Sequence, residues 1–177
     1  MKHPPTLAPL AAPRGAGQSV GAAMRLSLAG FDRHPVLLAG AAHPELLARL
    51  DRFFDVESAG AADLLDGAVL CTRLAGKSAL IAPQTAAIDA TLLALLPHLK
   101  AVCRIGASDA GIDLAACTRA GVIVTNTADL GSDETARRQM ALAAADNLIA
   151  AFGFGRAAGH PKNMLNVDLR CMLGCCL

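Results

Sequence analysis

Residues 99–127 read LKAVCRIGASDAGIDLAACTRAGVIVTNT, and the fold turns on this stretch. The apolar run 99–105, with Val102 and Ile105, predicts a strand. A loop of small residues follows, then a short helix over 112–120 and a β-branched strand over 122–125. Asp113 stands near the positive end of that helix and Arg119 near its negative end, the favourable polarity for both. Gly121 supplies a left-handed residue to close it. The loop Gly106-Ala107-Ser108 therefore falls just past the carboxyl end of a strand, where open α/β sheets take their ligands.

Upstream the same alternation repeats. Residues 36–39 read as a buried strand ending at Gly40. A helix over 44–53 starts at Pro44 and sets Leu46, Leu47, Leu50 and Phe54 at helical spacing. A brief strand is expected at 55–57, and a helix over 61–74 that contains Gly67 and closes at Gly76. Residues 78–82 form the next strand, stopped by Pro83, and 89–96 a Leu-rich helix ended by Pro97. The strands are continuously apolar rather than alternating, which implies burial on both faces. The expected fold is α/β: a flavodoxin-like parallel sheet of about five strands with helices on both faces.

Downstream, 132–151 is the longest helix. Ser132 or Asp133 can cap it, and Asp133–Arg137 and Glu134–Arg138 are spaced for ion pairs one turn apart. Met140, Ala144, Leu148 and Ala151 make one apolar stripe, and Leu142, Ala145 and Ile149 another. A helix so broadly apolar needs neighbours on more than one side. A homodimer through 132–151 is one way to supply them.

Hydrophobic residues make up 54% of the 177 residues and charged ones 18%, enough for a substantial core in one domain. With no Trp or Tyr, that core must be built from Leu, Ile, Val, Ala and five Phe. A net charge of +1 gives no reason to expect nucleic acid or an anionic membrane as partner. No apolar run approaches the roughly 18 residues of a transmembrane helix. Cys71, Cys103 and Cys117 sit singly in apolar surroundings and read as buried thiols, while Cys171, Cys175 and Cys176 crowd the last residues without zinc-site spacing. No metal is expected, and a reducing cytoplasm suits this cysteine usage. Residues 1–33 read as a flexible tail rich in Ala, Pro and Gly, within which Met24 is an alternative start. The run 7–12, broken by Pro9, is too short for a secretory signal. The expected division is thus a tail at 1–33, a domain at 34–131, a long helix within 132–158 and an irregular tail at 159–177.

Two features invite chemistry and do not sustain it. His34, His43 and His160 adjoin prolines and His98 follows one, so all four read as loop or helix-end residues without a nucleophile and acid beside them. Gly153-Phe154-Gly155-Arg156-Ala157-Ala158 fits the relaxed glycine fingerprint for dinucleotides, but a helix precedes it where a strand is required. No catalytic residue is assigned.

Several short motifs recur in a telling order: Leu96-Pro97, Leu99-Lys100-Ala101-Val102, Ile105-Gly106, Ile112-Asp113, Ala120-Gly121-Val122 and Val124-Thr125-Asn126-Thr127. Ile88-Asp89 and Leu92-Leu93 precede them, and Glu134-Thr135-Ala136 follows. Through these, Pro35 to Asp168 resembles the D-isomer-specific 2-hydroxyacid dehydrogenases, a family that includes phosphoglycerate dehydrogenases and glyoxylate/hydroxypyruvate reductases. The resemblance implies the substrate-binding domain of that family, followed by its crossover helix. It implies that backbone amides of Gly106, Ala107 and Ser108 hold the carboxylate of a small 2-hydroxy or 2-oxo acid, with Asn126 at the mouth of the next strand. Departures are visible. Ser108 replaces a second glycine, and Asp109, Ala110 and Gly111 stand where the family has an aromatic residue, Asp and Asn. Asp109 adds negative charge beside an anion site. Ala128 replaces a proline and Arg137 an acid.

NAD or NADP would serve the complete family enzyme, whose dinucleotide fold would begin near Leu169 and whose catalytic His, Glu and Arg lie beyond it. The chain therefore reads as truncated, and by itself is expected to bind neither cofactor and to lack turnover. The alternatives are a non-enzymatic module that binds a small carboxylate or dimerises, and a non-functional remnant.

Overall fold

The computed structural model describes residues 33–40, 43–60, 66–82, 86–154 and 161–169. Contacts divide the chain into Met1–Phe31 and Asp32–Leu177, and all described residues belong to the second unit. The tail expected at 1–33 and Cys171, Cys175 and Cys176 lie outside the described residues, Arg33 excepted.

Ten elements alternate: β1 (His34–Ala39), α1 (Pro44–Leu50), β2 (Phe54–Ala59), α2 (Gly67–Leu74), β3 (Ala79–Ala82), α3 (Ala90–Ala94), β4 (Ala101–Arg104), α4 (Leu114–Arg119), β5 (Ile123–Asn126) and α5 (Glu134–Ala151). The five strands pair in the order β2-β1-β3-β4-β5, and every pair is parallel. That is the doubly wound, flavodoxin-like order, with its switch between β1 and β3. Side chains alternate between the two faces of each strand. Leu37, Leu80, Val102 and Val124 pack with Leu70 and Leu74 of α2, Leu92 and Leu93 of α3 and Cys117 of α4. Val36, Leu38, Ile81 and Cys103 pack on the opposite face with Leu46 and Leu50 of α1 and Ala144 and Leu148 of α5.

Local chemistry sets the element ends. The side chains of Asp66, Asp89, Asp113 and Asp133 each accept a backbone N–H in the first turn of α2, α3, α4 and α5. His43 caps α1 through Nδ1, which accepts the Glu45 N–H at 3.2 Å. Asp133, not Ser132, is therefore the cap of α5.

Four expectations are corrected here. α1 stops at Leu50, and Phe54 opens β2 instead of ending a helix, because its ring is fully buried in the sheet's aromatic edge. His34 opens β1 and is not a loop residue. Asp66 caps α2 so that Gly67 is its first residue instead of an interruption; residues 61–65 lie outside the described set. The pairs one turn apart on α5 do not form as expected. Arg138 reaches across to Glu45 of α1 at 2.5 Å, and Glu134 binds Arg137 at 2.8 Å and His43 at 3.2 Å. Arg49 and Asp146 add a third α1–α5 pair at 2.6 Å, so the charges of α5 follow its neighbouring helix.

That neighbour also answers the question of what covers α5. Ala136, Met140, Ala141, Ala144, Ala145, Leu148 and Ile149 are buried within the chain, and Leu142 and Ala143 are half-buried. The apolar stripes of α5 are thus covered within one chain among the described residues.

Nor is the segment after α5 wholly an irregular tail. Residues 161–169 close the open edge of β5: Leu165 N–H donates to Val124 O at 2.8 Å, and Met164 bridges Thr125 in antiparallel sense. Asn166 does with one side chain what a neighbouring strand does with its backbone. Its Oδ1 accepts the Val124 N–H at 2.9 Å and its Nδ2 donates to Val122 O at 2.8 Å.

Candidate functional site

β4 ends at Arg104 and the chain turns through Ile105 into Gly106, whose φ of +111° is open to glycine and strained for other residues. The Gly106 N–H donates to the Thr127 hydroxyl at 2.8 Å, a bond sealed from water because Thr127 is 0% exposed. Thr127 N–H in turn donates to Arg104 O at 3.1 Å, tying the loop after β4 to the end of β5. Asn126 Nδ2 donates to Ala107 O at 2.8 Å, and Asn147 of α5 holds Asn126 by donating to its carbonyl at 3.0 Å. Ser108 Oγ accepts the Ala110 N–H at 3.1 Å, closing a local turn.

These bonds sort the expected anion-binding residues. Gly106 cannot offer its amide, because Thr127 occupies it; its contribution is the backbone turn. Asn126 braces the loop through Ala107 O, leaving one amide hydrogen. The N–H groups of Ala107 and Ser108 have no acceptor among the described residues, with Ala107 exposed and Ser108 half-buried. Two successive donors left without an internal acceptor on a braced turn can hold an anion without side-chain chemistry.

Under the loop lies a residue that the motif reading passed over. Arg104 is 0% exposed, donating from Nη1 to Ala110 O at 2.7 Å and from Nη2 to Ala86 O at 2.5 Å. One guanidinium thus ties the β4–α4 loop to the segment before α3. Burial lowers its pKa and the Asp109 carboxylate raises it; arginine stays charged in either case. The signal was present in the sequence, as one cation in the apolar run AVCRI. Thr127 and Asn147 gave less: a threonine after a strand and an asparagine in a helix have many ordinary uses.

Ile105 also lines a cleft of about 310 Å³ between the amino ends of α1 and α5, with His43, Leu46, Glu134, Arg137 and Met140. Ala107 and Ser108 do not line it. The described cysteines do not line this cleft. Cys103 and Cys117 are buried, and burial pushes both thiols up to about 11, with Asp113 adding to the effect at Cys117. They are protonated and inert at neutral pH. Of the histidines, His43 is a helix cap and His98 sits exposed in a turn, while His3 and His160 lie outside the described residues.

Residues 36–160 match the family described as D-isomer specific 2-hydroxyacid dehydrogenase, catalytic domain. The chain belongs to that family. A glyoxylate reductase of Aeropyrum pernix is 32% identical over 137 residues, which cover 72% of this chain and 41% of that protein. A crystal structure from Polaromonas sp. described as a D-isomer specific 2-hydroxyacid dehydrogenase, NAD-binding, superposes with a TM-score of 0.52 at 23% identity, covering 81% of this chain and 41% of that one. An NADPH-dependent glyoxylate/hydroxypyruvate reductase of Sinorhizobium meliloti, solved with NADP and malonate, gives a TM-score of 0.43 at 24% identity over 54% of this chain and 28% of that one. This dehydrogenase-family chain thus spans about two fifths of the glyoxylate reductase it matches.

The glycine fingerprint, as far as it is described, lacks the setting of a dinucleotide turn. The glycine fingerprint begins where α5 stops: Gly153 has φ +77° as a helix terminator, and the Phe154 ring stacks on Phe53 with centroids 5.4 Å apart. α5 precedes that turn where the fingerprint requires a strand; residues 155–158 lie outside the described set.

Proposed function

We propose that this chain supplies the part of an NAD(P)-dependent oxidoreductase that holds the carboxylate of a D-2-hydroxy acid or its 2-oxo partner. The observation that carries the reading is the pair of amides at Ala107 and Ser108 without an acceptor among the described residues. They sit at the carboxyl end of β4, on a turn braced through Gly106 N–H, Ala107 O and Ser108 Oγ. In the whole reaction a 2-oxo acid takes a hydride from the reduced nicotinamide and a proton from an acid, giving the 2-hydroxy acid. The contribution of these residues is orientation. Two N–H donors on one carboxylate fix where the adjacent carbon faces, and the Thr127 and Asn126 bonds keep those donors from reorganising.

The 177-residue chain by itself is proposed to bind the acid and not to turn it over, and to work in the cytoplasm, where its free thiols at Cys71, Cys103 and Cys117 would persist. No described helix is long and apolar enough to cross a membrane. A homodimer through α5 draws little support, since the apolar stripes of that helix are covered by α1 and the sheet.

Calorimetry with glyoxylate, and with glycolaldehyde as an uncharged control, tests the reading. Binding of the first and not the second is expected, together with no oxidation of NADH or NADPH above the protein-free rate. Equal response to both compounds contradicts the carboxylate role, and steady nicotinamide oxidation contradicts the division of labour.

A further inference from the structure

The loop carries a charge problem. An exposed carboxylate, Asp109, directly follows the two free amides, and at close range it repels any carboxylate ligand. Backbone dipoles alone would have to overcome that repulsion. The structure places a compensating group behind them. Arg104 lies two residues before Gly106 with no exposed surface, and its fork is fixed by Ala110 O at 2.7 Å and Ala86 O at 2.5 Å. Ala110 is the residue after Asp109, so the guanidinium reaches the same turn from beneath that the carboxylate occupies from outside. A buried charge is screened less by solvent and salt than an exposed one. A buried cation fixed against the turn thus acts in favour of an anion on the Ala107 and Ser108 amides and against the solvated acid.

We infer that Arg104 is a positioning and charge-setting residue for the anion loop: its buried guanidinium braces the turn through Ala110 and Ala86 and neutralises Asp109, so that the turn accepts a carboxylate. This rests on the loop's proposed role in holding an organic acid. Arg104 touches no ligand in this scheme; it acts through the backbone it holds and the field it sets. Burial lowers the guanidinium's pKa and Asp109 raises it, as expected of two charges that sense each other.

The test measures glyoxylate affinity of the full chain by calorimetry in wild type, Asp109→Asn, Arg104→Met and Arg104→Lys, at low and at physiological ionic strength. Asp109→Asn removes an exposed charge and leaves the fold intact; it is expected to tighten binding about threefold at low salt, and by less at physiological salt. Arg104→Met is expected to weaken binding about tenfold, the scale of one charged contact. Arg104→Lys keeps the charge without the two-pronged geometry, and is expected to fall between Met and wild type.

Asp109→Asn within twofold of wild type at low salt overturns the inference, and does so even where Arg104→Met fails to fold. Folded Lys and Met variants equally impaired also overturn it, since bracing alone would then be the role. Wild-type protein that binds no glyoxylate removes the underlying reading of the loop. Wild-type binding with indifferent Asp109 and Arg104 variants removes this inference alone.

Discussion

The two ends of the sheet are held together by different physics. At the amino ends of the strands, His34, Phe53, Phe54, Phe152 and Phe154 form one aromatic cluster with ring centroids 4.6 to 6.5 Å apart. Area and shape stabilise that end. At the carboxyl ends of β4 and β5 the buried groups are Arg104, Thr127 and Asn147, each fixed by directional bonds to backbone atoms. α5 spans the distance between them: its 18 residues cover about 27 Å, from the cleft at Glu134 to the aromatic cluster beyond Ala151. Buried polar networks stabilise little when complete and cost much when broken. Ser78 and Asn166 are buried polar residues elsewhere along the sheet, but the network of Arg104, Thr127 and Asn147 is the one that fixes the geometry of the loop after β4.

Substitutions at the two ends should therefore fail differently. The largest effect is expected from Phe54→Ala, which removes a fully buried ring and should cost about 3 to 5 kcal/mol in urea unfolding. The folded protein should still bind glyoxylate as wild type does. A matching loss of affinity would mean the ends are not separable. Thr127→Val is the reciprocal change. It keeps the shape, removes the acceptor of the buried Gly106 N–H and should cost about 1 to 3 kcal/mol. Here affinity should fall with stability, while Thr127→Ser, which retains the hydroxyl, should keep most of both.

The smallest effect belongs to neither end but to the ion pairs that fasten α1 to α5. Hydrogen bonding and charge from Arg138 hold the Glu45 carboxyl below the ordinary glutamate range, and Arg137, with His43, does the same for Glu134. A pKa lowered by folding means stability that is present above the unfolded value and lost as pH falls through the folded one. Thermal stability should therefore decline modestly below about pH 4.3. Because the pairs are exposed, the decline should shrink in high salt. An acid transition untouched by salt would assign it to other groups.

Much of this contrast was legible in the residues. Apolar runs broken by Pro and Gly disclosed five parallel strands, and Asp89, Asp113 and Asp133 marked where α3, α4 and α5 begin, whereas the start of α2 at Asp66 was missed. The turn at Gly106 was legible as a strand-to-helix corner past the carboxyl end of β4. What the sequence concealed was allocation. Nothing in Gly106-Ala107-Ser108 says which amide is already bonded, because the acceptor, Thr127, is 21 residues away in sequence. The ion pairs of α5 misled for the same reason: spacing along one helix predicts partners only when no second helix competes, and α1 competes through Glu45 and Arg49. Asn166 looked like part of a terminal tail until its side chain was seen bonded to β5 over more than 40 residues of separation.

The central claim is that two backbone amides, and not the whole loop, receive a carboxylate. Titrating the ¹⁵N-labelled chain with glyoxylate and following each amide resonance tests it directly. The account predicts saturable shifts greatest at Ala107 and Ser108, with Gly106 much less affected because Thr127 already holds its hydrogen. Saturation that moves Gly106 most, or moves only residues lining the His43–Arg137 cleft, would contradict it.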